Sequence, residues 1–528
     1  MRSRWRHAAA VTAVAAVLAG CTASIAGTAG LGPVVPTAAL PSPTPGPAGI
    51  TTPSGRPGVP SSSARAPGST TESTVSPDGA VGSVGIGDPY YPRSGNGGYE
   101  VDHYDIDLTY DPARNALTAV TTVSATVTAG GKLGRFNLDL QPQMQVASVT
   151  VDTVAAGFTH SGAELTVTPR VGLAPGRRIT VVVTYSGAPA AIGGGTAGMG
   201  DGGWYRTPSG GAVAIGEPYS GSAWYPVNEH PSDTATYRVT ATVPQKWSVI
   251  SNGVAQTTGL PAPSGGSKVF RWAQNEPITS YESTIYIDTF STVTGTTADG
   301  KPIVSVFAPG DSAKDRGLAA QTAKILQVLS SHFGTYPFDA AGGIYTNQEL
   351  SFALETATRP VYANWVDLDT VVHELTHQWF GDDVVIKRWA DICLNECFAS
   401  YGPWLWHQDV DHADLDAEWV AEMAKYAGDA SFWASPLVDM GAGNEFTSVY
   451  SRGPLAIHAL RKQMGEKAFA ALLKGWPATF GGRAASFDDL VAYAGRLSGQ
   501  NLTGFMNAWF RGTVVPPARY LHPGGIGK

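Results

Sequence analysis

The chain has 528 residues, a formal net charge of −8 and 15% charged residues against 43% hydrophobic ones. That length exceeds what one hydrophobic core ordinarily serves, so at least two domains are expected. No Lys/Arg run offers a phosphate footprint, which excludes nucleic acid as the main partner.

At the N-terminus, Arg2, Arg4 and Arg6 precede an apolar run over residues 8–18 and then Leu18-Ala19-Gly20-Cys21. The run is too short to span a bilayer as a helix, and residues 1–20 read as a signal peptide. Small residues before a cysteine resemble the lipobox of bacterial lipoproteins. The resemblance implies cleavage before Cys21, lipid on its thiol, and a protein anchored to the cell membrane on its extracytoplasmic face. An ordinary secretory signal with an incidental cysteine is the alternative. Residues 21–98 are rich in Pro, Ser, Thr, Gly and Ala and lack an apolar period, so a disordered linker is expected. Such a tether would hold the next domain on the order of 50 Å from its anchor.

Between residues 99 and 297 polar and apolar residues alternate over 104–110, 119–127, 178–185, 237–243 and 282–290, with turn residues such as Asn252-Gly253 between. This predicts a mostly antiparallel β-domain. Over 298–528 the period lengthens. Leu318, Thr322, Ile325, Leu326 and Leu329 mark one helix face, and further helices are expected over 389–406, 454–464, 467–476 and, capped by Ser486, 487–497. The fold class is α+β and multidomain.

The strongest chemical pattern lies in the second half: Val371-Val372-His373-Glu374-Leu375-Thr376-His377-Gln378-Trp379-Phe380-Gly381. On a helix, residues four apart share a face, so His373 and His377 can both reach one Zn²⁺ while Glu374 reaches a water beside it. A bare His-Glu-x-x-His also arises as two ordinary surface histidines. Glu396, separated from His377 by eighteen residues and set in an apolar aromatic segment, strengthens the metal reading, because a buried carboxylate there needs a partner. Two His and one Glu with a fourth position open is the donor set of a catalytic zinc, one ion per chain. Cys393 and Cys397 flank Glu396; on one regular helix they suit a disulfide poorly, so buried free thiols are expected.

Several separated motifs then fall in one order: Gly216-Glu217-Pro218, Trp224-Tyr225-Pro226-Val227-Asn228-Glu229-His230-Pro231, Phe352-Ala353-Leu354-Glu355-Thr356, the zinc motif, Leu394-Asn395-Glu396 and Tyr450-Ser451-Arg452-Gly453. Together they resemble the aminopeptidase N family, zinc aminopeptidases of the thermolysin-like clan that also includes leukotriene hydrolases. The resemblance runs from about residue 99 to the C-terminus. It implies a thermolysin-like, mainly helical catalytic domain in 298–528, with metal ligands His373, His377 and Glu396, general base Glu374 and oxyanion donor Tyr450. It further implies that Glu355 binds the free α-amine of a peptide substrate, with Glu217 lining the same pocket. Phe352, Leu354 and Thr356 depart from the family's Gly-Ala-Met-Glu-Asn motif, Asp382 stands where asparagine is usual, and Cys397 where glycine is usual.

The activity so implied is removal of the first residue from peptides with a free N-terminus, at the cell envelope. A thermolysin-like endopeptidase and a non-catalytic peptide-binding lipoprotein are the alternatives.

Overall fold

The computed structural model describes residues 79–193, 199, 201–426 and 428–527, all within one compact unit; the signal peptide, Cys21 and most of the predicted tether lie outside the described residues. Among the described residues no helix is long and apolar enough to cross a membrane.

An eight-stranded sheet forms the backbone of the first half. In spatial order it runs Val254–Ala255, Ser267–Ile278, Ala235–Pro244, Tyr99–Asp111, Ala116–Val127, Arg178–Gly187, Met144–Val151 and Val154–Ala155. Every neighbouring pair is antiparallel except Ala235–Pro244 with Tyr99–Asp111. The two-residue period explains the strands: Tyr104, Ile106, Leu108 and Tyr110 are buried, while Asp105, Asp107 and Thr109 point the other way. A five-stranded sheet, which includes Ala212–Ile215, Ile285–Asp288 and Ser248–Ser251, carries the elements nearest the second half.

Ser291–Thr296 pairs with Pro302–Phe307, which pairs in parallel with Ala341–Tyr345 and through it with Val361–Tyr362. Beyond this sheet, helices dominate. The face expected to form one helix is split into Ala313–Ala319 and Thr322–Phe333. Arg452–Met464, Glu466–Phe480 and Phe487–Ser498 match the later helical periods, the last opened by a Ser486/Asp489 capping box.

Two expectations are corrected. The stretch 389–406 is not one helix but a 3₁₀ turn, Trp389–Asp391, followed by Cys393–Ala399 and Gly402–Trp406. Cys393 and Cys397 are joined as a disulfide rather than free, with Cα atoms 4.8 Å apart. Cys393 is the first residue of its short helix, next to that 3₁₀ turn, and the local backbone brings its Cα within the range a disulfide bridges.

Residues 79–98, compositionally part of the tether, are built into the fold. Ala80–Val81 adds to the strand Leu133–Asp139. The buried Asp88 accepts hydrogen bonds from the backbone N–H groups of Trp389, Tyr90 and Tyr91. Burial works to raise its pKa, but His230 and these N–H groups hold it below the usual value. The Tyr90 hydroxyl donates to Asp439 and accepts from Gly441 N–H, so this strap ties the β-half to the helical half.

Candidate metal centre and acidic cradle

The helix Leu368–His377 starts where the Asp367 side chain accepts from the Thr370 N–H at 2.9 Å, an N-cap that also complements the helix dipole. Its last turn brings the Nε2 atoms of His373 and His377 to 3.1 Å from each other. The helix Cys393–Ala399 delivers Glu396, whose Oε2 lies 3.2 Å from His373 Nε2 and 3.5 Å from His377 Nε2. Close helix crossings make this convergence possible. A Cβ on Gly402 would meet Thr376 Oγ1 at 2.0 Å, and one on Gly453 would meet Cys397 Sγ at 2.9 Å, so a side chain at either position would push a neighbouring helix, Gly402–Trp406 or Arg452–Met464, off a helix that carries donors.

These donors fit a divalent ion. Four-coordinate zinc at about 2.0–2.2 Å from each would hold them about 3.3 Å apart, inside the observed spread. Glu396 Oε2 has no hydrogen-bond partner among the described residues despite complete burial, as expected of an oxygen whose natural partner is a cation. His377 Nδ1 lies 3.0 Å from the Phe380 carbonyl; donating there, the ring leaves its Nε2 lone pair for the metal. His377 is buried, whereas the His373 side chain is 16% exposed and faces the open side.

The surroundings are rich in carboxylates. Glu355, Glu374 and His377 form a second group of convergent donors. Burial acts to lower the His377 pKa, yet Glu355, Glu396 and Glu374 override it and raise it to about 10, a pull on positive charge that a metal ion at Nε2 would satisfy in place of the proton. Burial acts to raise Glu396, but His377 and His373 bring it down to about 2. Burial pushes Glu374 well above its usual range, with Glu355 and Glu396 adding to the rise. Glu217 is likewise pushed well up, by burial and then by Glu355, Glu396 and Glu282; neither of its oxygens has a hydrogen-bond partner among the described residues. So many buried acids against two imidazoles make a site that favours added positive charge.

Glu355 sits on a segment fixed from several sides. Leu354 and Val361 exchange backbone hydrogen bonds, and the turn between them holds Thr358 at φ 66°, a costly conformation for a β-branched residue. Two contacts over-determine that turn: Thr358 N–H donates to Gln378 Oε1 and Gly253 N–H donates to Thr358 Oγ1, both at 2.8 Å. Gln378 then donates through Nε2 to the Glu355 carbonyl and to Asp382 Oδ2. The Tyr281 hydroxyl donates to Glu355 Oε1 at 3.1 Å.

Tyr450 approaches from the other side, its hydroxyl 3.4 Å from Glu396 Oε1 and 3.9 Å from Met199 Sδ. Its ring is tilted against His373 and stacked on Phe446. Desolvation of the hydroxyl, with the charges of Glu396, Glu217, Glu355 and Glu374, pushes its pKa well above the ordinary value, so the phenol keeps its proton. Two residues on, the buried Arg452 guanidinium donates to the carbonyls of Ser435, Trp433, Gly512 and Trp509, pinning the loop that presents Tyr450.

The structure thus gathers His373, Glu374, His377, Glu396, Glu355, Glu217 and Tyr450 in one place, while Cys21 lies outside the described residues. Sequence reasoning missed Tyr281, Glu282, Gln378 and Met199. Gln378 adjoins the motif, but Tyr281, Glu282 and Met199 belong to turns whose spacing carries no signal.

Residues 324–509 match the model of the peptidase family M1 domain. Aminopeptidase N of Streptomyces lividans is 25% identical over 469 residues, covering 78% of this chain and 50% of its own length. Aminopeptidase M1-C of Oryza sativa subsp. japonica is 23% identical over 334 residues, covering 58% of this chain and 37% of its own length. The chain therefore spans half the length of these relatives or less. A crystal structure of an M1 zinc metallopeptidase mutant from Deinococcus radiodurans, bound to a Tyr-Ser-Ala substrate, superposes with a TM-score of 0.76 at 28% identity, over 84% of this chain and 100% of that one. With a β-rich half leading into a helical half, and with these matches, the chain is similar to the M1 peptidases, which supports the aminopeptidase N family that its motifs resemble.

Proposed function

We propose that the protein is a zinc-dependent aminopeptidase that releases the first residue of peptides. The observation that carries this reading is the juxtaposition of a three-donor cluster, His373, His377 and Glu396, with a second convergent group containing Glu355 and Glu374. Held by the three donors, zinc supplies a Lewis acid for water and for the scissile carbonyl. Glu217 and Glu355 receive the ammonium of the first residue, and their negative charge is what a buried cation requires. Glu374 takes the proton of the attacking water and passes it to the leaving amine. The protonated Tyr450 donates a hydrogen bond to the oxygen on which charge develops.

Related structures support the exopeptidase form of this reading. Besides the tripeptide complex, a two-domain M1 zinc metallopeptidase mutant was crystallised with L-tryptophan and with L-arginine, single residues with a free amine. The discriminating experiment compares a short peptide with its N-acetylated form. The aminopeptidase reading expects cleavage of the free peptide only; equal cleavage of both would assign the same metal chemistry to an endopeptidase.

For location, we propose a lipid anchor on Cys21 and an extracytoplasmic site of action. The Arg-rich start, the short apolar run and the small residues before Cys21 support it, as does a buried disulfide, which suits an oxidising compartment. Fatty-acid labelling that is lost in Cys21→Ala tests the anchor; an unmodified mature N-terminus refutes it.

A further inference from the structure

We propose that Tyr281 is a positioning residue for substrate-amine recognition: its hydroxyl holds one oxygen of Glu355 so that the other is presented to the ammonium. The inference rests on the aminopeptidase reading above and adds to it a residue outside every motif that the sequence offered.

The geometry that supports it is built from both sides of Glu355. Tyr281 is 1% exposed, its ring lies 5.8 Å from that of Trp389, and its hydroxyl is 3.1 Å from Glu355 Oε1. It belongs to a tight turn in which Ser283 donates to the Ser280 carbonyl through both N–H and Oγ. Glu282 locks the turn further: its Oε2 accepts from Thr279 N–H, and its carbonyl accepts from Ala357 N–H, two residues beyond Glu355. On the opposite side Gln378 Nε2 donates to the Glu355 carbonyl at 3.2 Å. The backbone of Glu355 is therefore fixed, and the torsion of its carboxylate is the freedom that remains.

Tyr281 removes that freedom. A carboxylate crowded by Glu374, Glu217 and Glu282 would otherwise turn to reduce repulsion, and a hydroxyl donor 3.1 Å from Oε1 sets the direction of its second oxygen. That direction matters because Glu355, Glu374 and His377 converge. An amine bound on the far side of Glu355 would leave its peptide bond out of reach of Glu374.

The test uses the full zinc-loaded chain and three variants: Tyr281→Phe, Glu355→Gln and the double variant. Two readouts are taken, KM and kcat for an aminoacyl amide reporter and calorimetric binding of L-tryptophan. Tyr281→Phe should raise KM and weaken L-tryptophan binding by about tenfold each, the scale of a lost hydrogen bond to a charged group, while kcat stays within about threefold. Glu355→Gln should weaken both further, and adding Tyr281→Phe to it should change nothing more, since the hydroxyl acts only through the carboxylate. Unchanged KM and binding in Tyr281→Phe, with Glu355→Gln still impaired, would overturn this inference and leave the amine cradle standing. If Glu355→Gln binds L-tryptophan as the wild type does, the cradle itself fails and the inference with it. A Tyr281→Phe melting temperature several degrees lower would mark the hydroxyl as structural, which also overturns the assignment.

Discussion

Replacing Tyr450 by Phe should separate catalysis from folding more cleanly than any other change at this site. Among the described residues the hydroxyl makes only long contacts, 3.4 Å to Glu396 Oε1 and 3.9 Å to Met199 Sδ, and the residue is 45% exposed. Ring contacts with His373 and Phe446 survive in phenylalanine. The expected loss of stability is therefore below about 1 kcal/mol. Catalysis should respond differently. A donor aimed at developing charge contributes about 3 kcal/mol, so kcat should fall by about 10²–10³. KM should change little, because the interaction belongs to the transition state and not to the bound peptide. Steady-state kinetics on an aminoacyl amide reporter, with zinc content and melting temperature measured on the same preparation, provide the assay. A variant with normal zinc, normal stability and kcat within a factor of three of the wild type would refute the oxyanion role and reduce Tyr450 to a wall of the cleft.

Glu374→Gln should keep zinc at the wild-type level while kcat falls by at least about 10²–10⁴, the usual contribution of a general base; retained hydrolysis refutes that assignment. Cys393 and Cys397 should resist thiol reagents in the denatured, unreduced chain and react only after reduction, and free thiols at either position would contradict the bridge. Acidification should weaken the fold through His458. Burial lowers the pKa of this residue from 6.5 to about 4; its Nδ1 lies 2.9 Å from the Tyr401 hydroxyl, and its Nε2 2.9 Å from Asp416, an arrangement that suits the neutral ring. Because the unfolded chain takes up this proton first, the contribution is intact above pH 6.5 and is lost as pH falls through 4. It is worth up to about 3 kcal/mol. Denaturant melts of wild type and His458→Gln across that window should converge at low pH, and parallel curves would count against the neutral buried state.

Legibility from sequence followed how local each pattern was. His373, Glu374 and His377 share a single turn-to-turn spacing, so their convergence could be read without a structure, and alternation exposed the long strands such as Tyr99–Asp111. The break after Ala399 could not be read. Residues 389–406 are mostly apolar and nearly all buried, polar ones such as Asp391 and Glu396 included, and burial on every side removes the periodic signal that marks a helix end. The disulfide is hidden as well: both cysteines lie on the short helix Cys393–Ala399, and only the local backbone, with Cα atoms 4.8 Å apart, reveals the bridge. The strap at 79–98 carries the composition of a linker, yet one buried carboxylate, Asp88, and two tyrosines are enough to anchor it. Tyr281 and Glu282 reach Glu355 from a turn more than seventy residues away in the chain, and no spacing rule links them to it.

The central claim is that His373, His377 and Glu396 hold the ion on which turnover depends. Its most direct test is zinc analysis of the purified chain together with reporter hydrolysis before chelation, after chelation and after zinc is restored. The account predicts one zinc per chain, loss of hydrolysis on stripping and its return with zinc, none of which should occur in His377→Ala. Hydrolysis that persists in the stripped protein, or full zinc occupancy in His377→Ala, would contradict it.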